Sequence, residues 1–494
     1  MTNQPISRMT YLIVAALLLA TPALAQTTND PFPTPIAATD GVIKVSFVEF
    51  ASIPDIAGVA ARMMLLVDEP GTRRMFVNDM QGPLYSVSYD GKTVTQYVDL
   101  SAPTWGLNVQ STGRERGFQS FAFHPEFNRP GTRGFGRFYT VTDTSNTAPT
   151  PDFTPGGGNH THDTILLEWT AKNPAAVTYD GGPPRELLRF EQPFANHNAG
   201  QISFNPTASA GDPEFGLLYM GFADGGSGGD PLNLAQNRNS AFGKILRIDP
   251  LGANSANGKY AIPANNPFAN DGNANTLGEI YAWGLRNPQR FSWDPRNGNM
   301  FVADIGQGTV EEISLVTAGT NLGWNKWEGG FAFVSRTEVS RANHRGDHDV
   351  TYPIVEYGQE DPLLQPNSSV TMGYVYRQKA IPQLANLLLF GDIPSGEVFY
   401  INADNLPRGG QDAIRRILFN DPSTSLRVAP SSSRGDNGVS KTLLQLIKER
   451  NVEQGKSPAT RVDLRFGLGP DGQILVLNKG DGIVRLLVPD GARR

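Results

Sequence analysis

Residues 217–224 read LLYMGFAD, a run of apolar residues that ends at the acidic residue Asp224. Short apolar runs bounded by turn formers are typical of buried strands. Five further stretches share this arrangement: 74–79 (RMFVND), 137–143 (RFYTVTD), 300–304 (MFVAD), 387–392 (LLLFGD) and 473–479 (QILVLNK). The last of them ends at Lys479 instead of an acid. The chain therefore contains a β-unit that repeats six times.

The composition favours an all-β fold. The 494 residues include 53 glycines and 37 prolines, and only 18% are charged, so turn formers are abundant and helix surface is scarce. Repeated four-stranded sheets bury their faces by stacking on one another. Radial closure of six such sheets predicts a six-bladed β-propeller of four-stranded antiparallel blades.

Long loop insertions are expected between the predicted strands, at 142–162, 330–372 and 419–461. The third insertion contains a predicted amphipathic helix near 440–450, with Leu443, Leu444 and Ile447 on one side. The strand at 42–50 precedes the first repeat. We expect it to complete the last blade and close the ring.

Charge and cysteine content exclude several classes of function. Lys and Arg number 42 against 48 Asp and Glu, a net charge of −6, and no basic block is present, which argues against nucleic acid as a partner. The chain has no cysteine, so disulfides, Fe–S clusters, thiolate zinc sites and covalently attached c-type haem are excluded. A metal here must use oxygen or imidazole ligands.

The first 25 residues are typical of an export signal. Arg8 precedes an apolar run at 11–20, and small residues at 23–25 suit a signal peptidase. The run is shorter than the roughly 18 apolar residues that a membrane span needs, so we expect no span, although a retained anchor is the alternative. The sequence predicts cleavage after Ala25, a periplasmic or secreted protein, and a single propeller domain over 26–494.

A second position recurs in the five units that have a recognisable turn proline, nine residues before that proline. Because the start of the innermost strand and the end of the second strand lie on one face of a propeller, both recurring positions are expected to converge there. The converging residues are Arg116, His197, Arg286 and Arg461 from the first position and Asp224, Asp304, Asp392 and Lys479 from the second. Cations beside a histidine suit a multiply anionic ligand. The alternative is that they form ion pairs between blades.

Four motifs give the chain a family resemblance. Residues 284–291 (GLRNPQRF), 302–307 (VADIGQ), 311–313 (EEI) and 319–324 (GTNLGW) resemble the soluble glucose/sorbosone dehydrogenases. Residues 117–127 (GFQSFAFHPEF), 197–200 (HNAG) and Asp471-Gly472 extend the resemblance over nearly the whole mature chain. These relatives are six-bladed propellers that use pyrroloquinoline quinone (PQQ) and calcium. The resemblance therefore implies the same fold and cofactors.

The resemblance also implies roles for individual residues. His197 resembles the base that takes the proton from the sugar C1 hydroxyl while hydride passes to the quinone, and Asp224 resembles the acid that orients it. Arg286 resembles the cation that stabilises the reduced quinone. The implied cofactor-binding residues are Glu115, Arg286, Asn287, Arg461 and Lys479. The implied calcium ligands are the carbonyls of Gly306 and Gln307, and, at a second, structural site, Glu312 and the Leu322 carbonyl.

The chain departs from the best-known glucose-oxidising members at three places. Asn196 stands where they have Asp, and Glu115 stands where they have a cofactor-binding glutamine. Residues 391–396 (GDIPSG) lack the lysine that they place over the cofactor. Arg461 and Lys479 are the candidates to supply that positive charge.

The sequence thus predicts an exported dehydrogenase that oxidises an aldose-type sugar at C1 to the lactone. Without cysteine for covalent haem, electrons must pass to a separate acceptor. The expected oligomeric state is a monomer or homodimer. Two alternatives stay open: a calcium-dependent propeller hydrolase, such as a lactonase, using Asp224, Asp304 and His197, and a non-catalytic propeller that binds a partner through its loops.

Overall fold

The structure of the protein is a computed structural model that describes Met1 and residues 27–147, 149–364, 366–420 and 440–490. Its regular structure is almost entirely β-strand, which confirms the all-β class. Residues 2–25 of the expected signal segment and residues 421–439 of the third insertion lie outside the described residues. Within the described part of the chain, no helix has the length and apolar character that crossing a membrane requires.

The N-terminal third of the chain contributes ten strands. They are β1 Thr27–Thr28, β2 Ile43–Ser52, β3 Met63–Glu69, β4 Arg74–Asp79, β5 Pro83–Ser88, β6 Val94–Asp99, β7 Ser120–Phe123, β8 Arg137–Thr144, β9 His162–Thr170 and β10 Arg185–Gln192. A 3₁₀ turn at Pro103–Trp105 joins β6 to the loop before β7. Strands β7 to β10 form a separate four-stranded antiparallel sheet.

The middle of the chain forms two further four-stranded antiparallel sheets and one small sheet. Its strands are β11 Ile202–Phe204, β12 Leu218–Phe222, β13 Lys244–Ile248, β14 Ile280–Trp283, β15 Arg290–Trp293, β16 Met300–Asp304, β17 Val310–Val316, β18 Trp327–Glu328, β19 Phe331–Ser335, β20 Glu338–Ser340 and β21 Val355–Gly358. Strands β11 to β14 form one sheet, and β15, β16, β17 and β21 form the next. The small sheet pairs β18, β19 and β20 with β1.

The C-terminal part completes a large sheet. Its strands are β22 Val370–Tyr376, β23 Leu387–Asp392, β24 Val398–Asn402, β25 Arg415–Asn420, β26 Ser440–Lys441, β27 Arg465–Leu468, β28 Ile474–Leu477 and β29 Ile483–Val488. A 3₁₀ turn at Pro382–Leu384 precedes β23. The strand order is β22-β23-β24-β25-β2-β29-β28-β27-β3-β4-β5-β6, with β26 beside β25. Three antiparallel runs of four therefore lie in this sheet.

Three sequence predictions are confirmed at the level of single elements. Each of the six apolar stretches is the second strand of a run of four: β4, β8, β12, β16, β23 and β28. The N-terminal strand β2 pairs antiparallel with the C-terminal strand β29, as expected for the strand at 42–50. The predicted helix is α1, Leu443–Glu453, which buries Leu443 and Ile447 and begins with a capping box at Thr442.

The second predicted insertion, 330–372, is more structured than expected. It holds β19 and β20 of the small sheet and β21, the fourth strand of the sheet that β15 begins. These strands span only three to five residues each, and sequence reasoning did not identify them.

The hydrophobic core lies between neighbouring runs of strands. One cluster joins Leu65 and Phe76 of β3–β6 to Phe138 of β8, and another joins Val484 of β29 to Met75 of β4. Other clusters connect each of the remaining neighbouring runs in the same way. Burying a large apolar side chain in this way stabilises the fold by roughly 1.5–3 kcal/mol.

Candidate active site

A buried histidine–carboxylate pair forms the centre of the candidate site. Asp224 follows the end of β12, and His197 lies in the loop between β10 and β11; they are 2% and 4% exposed. His197 Nδ1 lies 2.7 Å from Asp224 Oδ1. Because a carboxylate only accepts hydrogen bonds, Nδ1 carries the hydrogen. In the neutral imidazole the other ring nitrogen, Nε2, is the proton acceptor, and it makes no hydrogen bond within the described residues.

Asp224 is fixed by two further donors. Trp324 Nε1 donates to Oδ2 at 2.9 Å, and the Gly226 amide donates to Oδ1 at 2.9 Å. Complete burial acts to raise the pKa of Asp224, but the neighbouring His197 and Arg286 and these hydrogen bonds outweigh it and hold the pKa below its usual value. The carboxylate therefore stays charged and keeps the imidazole oriented.

His197 occupies the left-handed region of backbone space, with φ at 56°. This conformation costs a non-glycine residue about 1 kcal/mol or more, so the surrounding contacts must hold it. The half-buried side chain of Glu115 provides one of them, because its Oε2 accepts the His197 backbone amide. Glu115 therefore lies directly beside the candidate base.

Arg286 lies next to Asp224, whose backbone amide donates to the Arg286 carbonyl at 2.8 Å. Its Nη1 donates to the Ile305 carbonyl at 2.8 Å, and Nε and Nη2 each lie 3.3 Å from Gln307 Oε1. The guanidinium sits over the Trp324 ring, 5.7 Å from its centroid. These contacts leave the Arg286 charge without a direct ion pair among the described residues, although it lies in the field of Asp224.

Asp304 at the end of β16 positions Arg286 and Asn287 through their backbones. Its Oδ2 accepts the Arg286 amide at 2.8 Å, and its Oδ1 accepts the Asn287 amide. Burial raises the pKa of Asp304 well above its ordinary range. Asn287 is 2% exposed, and its side chain makes no hydrogen bond within the described residues. Its amide group is thus available to a ligand.

The predicted cations Arg461 and Lys479 lie at the same end of the molecule. The Lys479 amide donates to the carbonyl of Val462, the residue after Arg461, and Lys479 Nζ lies 3.3 Å from the carbonyl of Arg114, the residue before Glu115. Burial, and then the charge of Arg465, lower the pKa of Lys479 well below its ordinary value. Lys479 therefore contacts the residues next to Arg461 and Glu115 in the chain, and Glu115 in turn bonds the backbone of His197.

Arg461 is already paired. Its Nε and Nη2 both donate to Oδ1 of Asp463, two residues further on, which leaves only Nη1 without a hydrogen bond within the described residues. The field of Lys479 and Arg461 holds the pKa of Asp463 below its usual value, although burial acts in the opposite direction. This carboxylate offsets much of the positive charge that Arg461 brings to the site.

Arg116 and Asp392, two of the residues that the sequence predicts to converge, bond to side chains outside the candidate site. Arg116 donates from Nε to Asp143 at 2.8 Å; Arg116 precedes β7 and Asp143 lies in β8 of the same sheet, so this ion pair does not join two sheets. Asp392 accepts hydrogen bonds from Ser368, Ser369 and Ser395. Neither contacts His197, Asp224 or Arg286 among the described residues.

The turn at Gly306 and Gln307 presents two free carbonyls. Glu328 Oε1 accepts the amides of Gln307, Gly308, Thr309 and Val310, at 2.7–3.0 Å. In a trans peptide the carbonyl of one residue points opposite to the amide hydrogen of the next. The carbonyl oxygens of Gly306 and Gln307 therefore point away from Glu328, and no described residue donates to either of them.

Glu312 lies among other acids and next to the same turn. It is 6% exposed, and its Oε2 has no hydrogen-bond partner in the described part of the chain. Burial raises its pKa well above the ordinary value, and the nearby Asp304, Glu356 and Glu328 raise it further. Leu322 is buried with its amide bonded to the Trp283 carbonyl. Among the described residues, no group of three His, Asp or Glu side chains is arranged to hold a metal ion.

Three residues that position this site were not found by sequence reasoning. Glu328 organises the carbonyl turn, the Gln307 side chain contacts Arg286, and Trp324 bonds Asp224. Trp324 lies in the 319–324 motif, but the resemblance assigned it no role. It is 1% exposed and acts through its indole N–H.

Comparison with known proteins supplies the family. The glucose/sorbosone dehydrogenase family profile matches residues 63–419. The chain belongs to this family. The HIPL1 protein of Arabidopsis thaliana is 31% identical over 356 residues, 66% of this chain and 49% of that protein. Quinoprotein glucose dehydrogenase B of Acinetobacter calcoaceticus is 24% identical over 306 residues, 59% of this chain and 58% of that protein.

This glucose/sorbosone dehydrogenase family member spans about half the length of the Arabidopsis relatives that it matches. Among solved structures, the PQQ-bound aldose sugar dehydrogenase of Streptomyces coelicolor superimposes with a TM-score of 0.52 at 15% identity, over 94% of this chain and 99% of that one. At this identity the superposition shows a common fold.

Proposed function

We propose that the protein is a PQQ- and calcium-dependent dehydrogenase that oxidises an aldose-type sugar at C1 to the lactone and passes the electrons to a separate acceptor. The observation that carries the proposal is the His197–Asp224 pair, with no hydrogen bond to His197 Nε2 within the described residues and with Asp224 in the field of the Arg286 charge. The family membership and the resemblance to a quinoprotein glucose dehydrogenase support it.

The proton transfer follows from the geometry of the pair. His197 Nε2 accepts the proton of the sugar C1 hydroxyl, and the imidazolium that forms is stabilised by Asp224 through Nδ1–H. Trp324 and Gly226 hold Asp224 in place during this step. PQQ, when bound, supplies the acceptor for the hydride from C1. Arg286 would supply the positive charge that stabilises the reduced quinone, inside a buried site where such charge stabilisation is strong.

The residues present fit an anionic quinone on one side of the site. Arg286 and the side-chain amide of Asn287 offer N–H donors, and the Lys479 amino group lies 3.3 Å from the carbonyl of Arg114, the residue before Glu115. Glu115 and Arg461 fit less closely, because one is itself an acid and the other is paired with Asp463. The charge that these two residues would contribute to the cofactor is therefore smaller than in a site with glutamine and an unpaired arginine.

Calcium would be held by the carbonyls of Gly306 and Gln307. They are adjacent, free of hydrogen bonds from described residues, and oxygen ligands are what this hard cation prefers. At that position the cation would act as a Lewis acid beside Arg286. For the second calcium site, Glu312 has a buried oxygen without a partner, and the Leu322 carbonyl is the proposed companion ligand.

The same proposal includes the architecture and location. The runs of four strands are the six blades of a propeller, supported by hydrophobic clusters that join each run to the next and the last to the first. Residues 26–494 form this single domain, released after cleavage of residues 1–25 and exported to the periplasm or outside the cell. The proposed oligomeric state is a monomer or homodimer.

Titration of the purified apoprotein with PQQ in calcium, followed by dye reduction with a panel of aldoses, tests the function. We expect stoichiometric binding and sugar-dependent reduction that His197→Ala abolishes while PQQ still binds. No binding at micromolar PQQ would refute the proposal. Lactone hydrolysis without PQQ would instead identify the hydrolase, and unchanged partner binding by His197→Ala with no turnover would identify the binding module.

A further inference from the structure

Two buried arginines meet where the first strands of several sheets come together. Arg290 begins β15 and Arg465 begins β27, and they are 3% and 2% exposed. Arg290 Nη2 lies 2.9 Å from the carbonyl of Met64 in β3 and 3.4 Å from that of Gln119 before β7. Arg465 Nη2 donates to Gln289 Oε1 at 3.0 Å, and Arg290 Nη1 donates to the Gln289 carbonyl. The two guanidiniums are thus tied to one residue.

Neither guanidinium has a counter-charge in contact. Among the described residues, no carboxylate oxygen lies within the 4.0 Å limit of an ion pair with Arg290 or Arg465. Asp463, whose field reaches Arg465, is paired with Arg461. Arginine does not lose its proton in proteins, so two like charges are buried together. An uncompensated buried charge is costly, and two of them call for a counter-ion.

The same place holds several polar atoms without partners. The Nε atoms of Arg290 and Arg465 are buried and make no hydrogen bond in the described residues. The side-chain atoms Nε2 and Oε1 of Gln119 are likewise buried without a partner there. Gln119 is 2% exposed. Buried polar groups are nearly always satisfied by protein, water or a bound ion. Two unpartnered guanidinium N–H groups that carry positive charge favour an acceptor that is negatively charged.

We propose that a small monovalent anion of the halide class binds between Arg290 and Arg465, at the meeting point of the inner strands. Backbone carbonyls of Met64, Gln119 and Gln289 already surround the guanidiniums. They would repel the outer oxygens of an oxyanion, so a monatomic ion suits the space better. This site does not depend on the dehydrogenase proposal, and it uses none of the residues of the proposed proton transfer.

Diffraction from crystals of the apoprotein grown in sodium bromide, at the bromine absorption edge, tests the site directly. We expect an anomalous peak in contact with N–H groups of both Arg290 and Arg465. A peak at Arg461 or Lys479 alone would place the anion in the proposed cofactor pocket and overturn the inference. Absence of any peak at Arg290 and Arg465 would overturn it as well, since water then satisfies these groups.

Thermal unfolding in sodium bromide against sodium gluconate of equal ionic strength provides the second test. At a bromide concentration about 100 times the Kd, we expect the Tm to rise by about 2 °C. Arg465→Gln should remove this rise. Arg416→Gln is the matched control, because Arg416 is paired with Glu397 at 2.8 Å, and it should keep the rise. A full rise in Arg465→Gln would refute the site; if that variant does not fold, the diffraction experiment decides.

Discussion

Replacing Asp224 by asparagine removes the charge of the candidate dyad with little change in shape. The carboxylate accepts three hydrogen bonds, two at Oδ1 from His197 and Gly226 and one at Oδ2 from Trp324. An asparagine whose oxygen takes the Oδ1 position keeps two of them and turns its NH₂ group toward the indole N–H. The opposite orientation keeps only the Trp324 bond. The first orientation is therefore favoured, and the imidazole keeps its place.

The expected loss in Asp224→Asn follows from that orientation. A hydrogen bond to a charged group contributes about 1.5–3 kcal/mol, and the buried carboxylate also stabilises the imidazolium as it forms. A cost near 3 kcal/mol corresponds to about a 100-fold fall in kcat/KM, since each 1.4 kcal/mol is about tenfold. If the amide turns over and donates to Nδ1, the proton moves to Nε2 and the loss approaches about 10⁴-fold.

The assay is steady-state dye reduction by PQQ-loaded protein with an aldose, alongside PQQ titration of the same variant. We expect PQQ binding within a few-fold of the native protein, so that the loss lies in the chemical step. Asp392→Asn is the control, because Asp392 is the corresponding acid at the end of β23 and is bonded to serines. A value of kcat/KM in Asp224→Asn equal to that of the control would refute the role of the dyad.

Two further predictions concern stability. Burial lowers the pKa of His124 from 6.5 to about 4. Between these pH values the unfolded chain binds a proton that the folded protein does not. The free energy of unfolding therefore falls by up to about 3 kcal/mol as the pH drops from 6.5 to 4. Urea unfolding of the native protein and of His124→Gln, at pH 7 and at pH 4.5, checks this. If the free energies of unfolding of the two proteins differ by the same amount at both pH values, the prediction is contradicted. Gly91→Ala should cost more than about 2 kcal/mol, because φ is +72° and the new Cβ would lie 2.1 Å from the Phe50 carbonyl oxygen. Gly410→Ala has the same φ with no atom within 4 Å and should cost about 1 kcal/mol; similar Tm values for the two variants would rule out the steric argument.

Single strands could be predicted from sequence because their signal is local. The run at 217–224 is apolar over its whole length, and β12 is buried throughout, as a strand covered on both faces should be. The capping box of α1 and its buried leucine are also local features. The pairing of β2 with β29 could be anticipated only through the repeat, since the two strands lie at opposite ends of the chain.

The arrangement of the site could be predicted only in part. The repeat placed His197 and Asp224 together, and the structure brings them to 2.7 Å. The bond from Trp324 to Asp224 joins residues 100 positions apart that occupy no equivalent place in the repeat. The pairing of Arg461 with Asp463 depends on the left-handed backbone at Asp463, with φ at 57°, which no pattern of residue types indicates.

The position of β2 in the large sheet has a consequence for folding. This one strand lies between β25 and β29 and pairs with both, through residues more than 350 positions away along the chain. Contacts between such distant segments slow folding, because the intervening chain must be ordered before they form. Until β2 is in place, β25 and β29 both present unpaired edges that can recruit other chains. Folding intermediates that lack this strand are therefore the species most prone to aggregate, and the last strand pairings to form govern the yield of native protein.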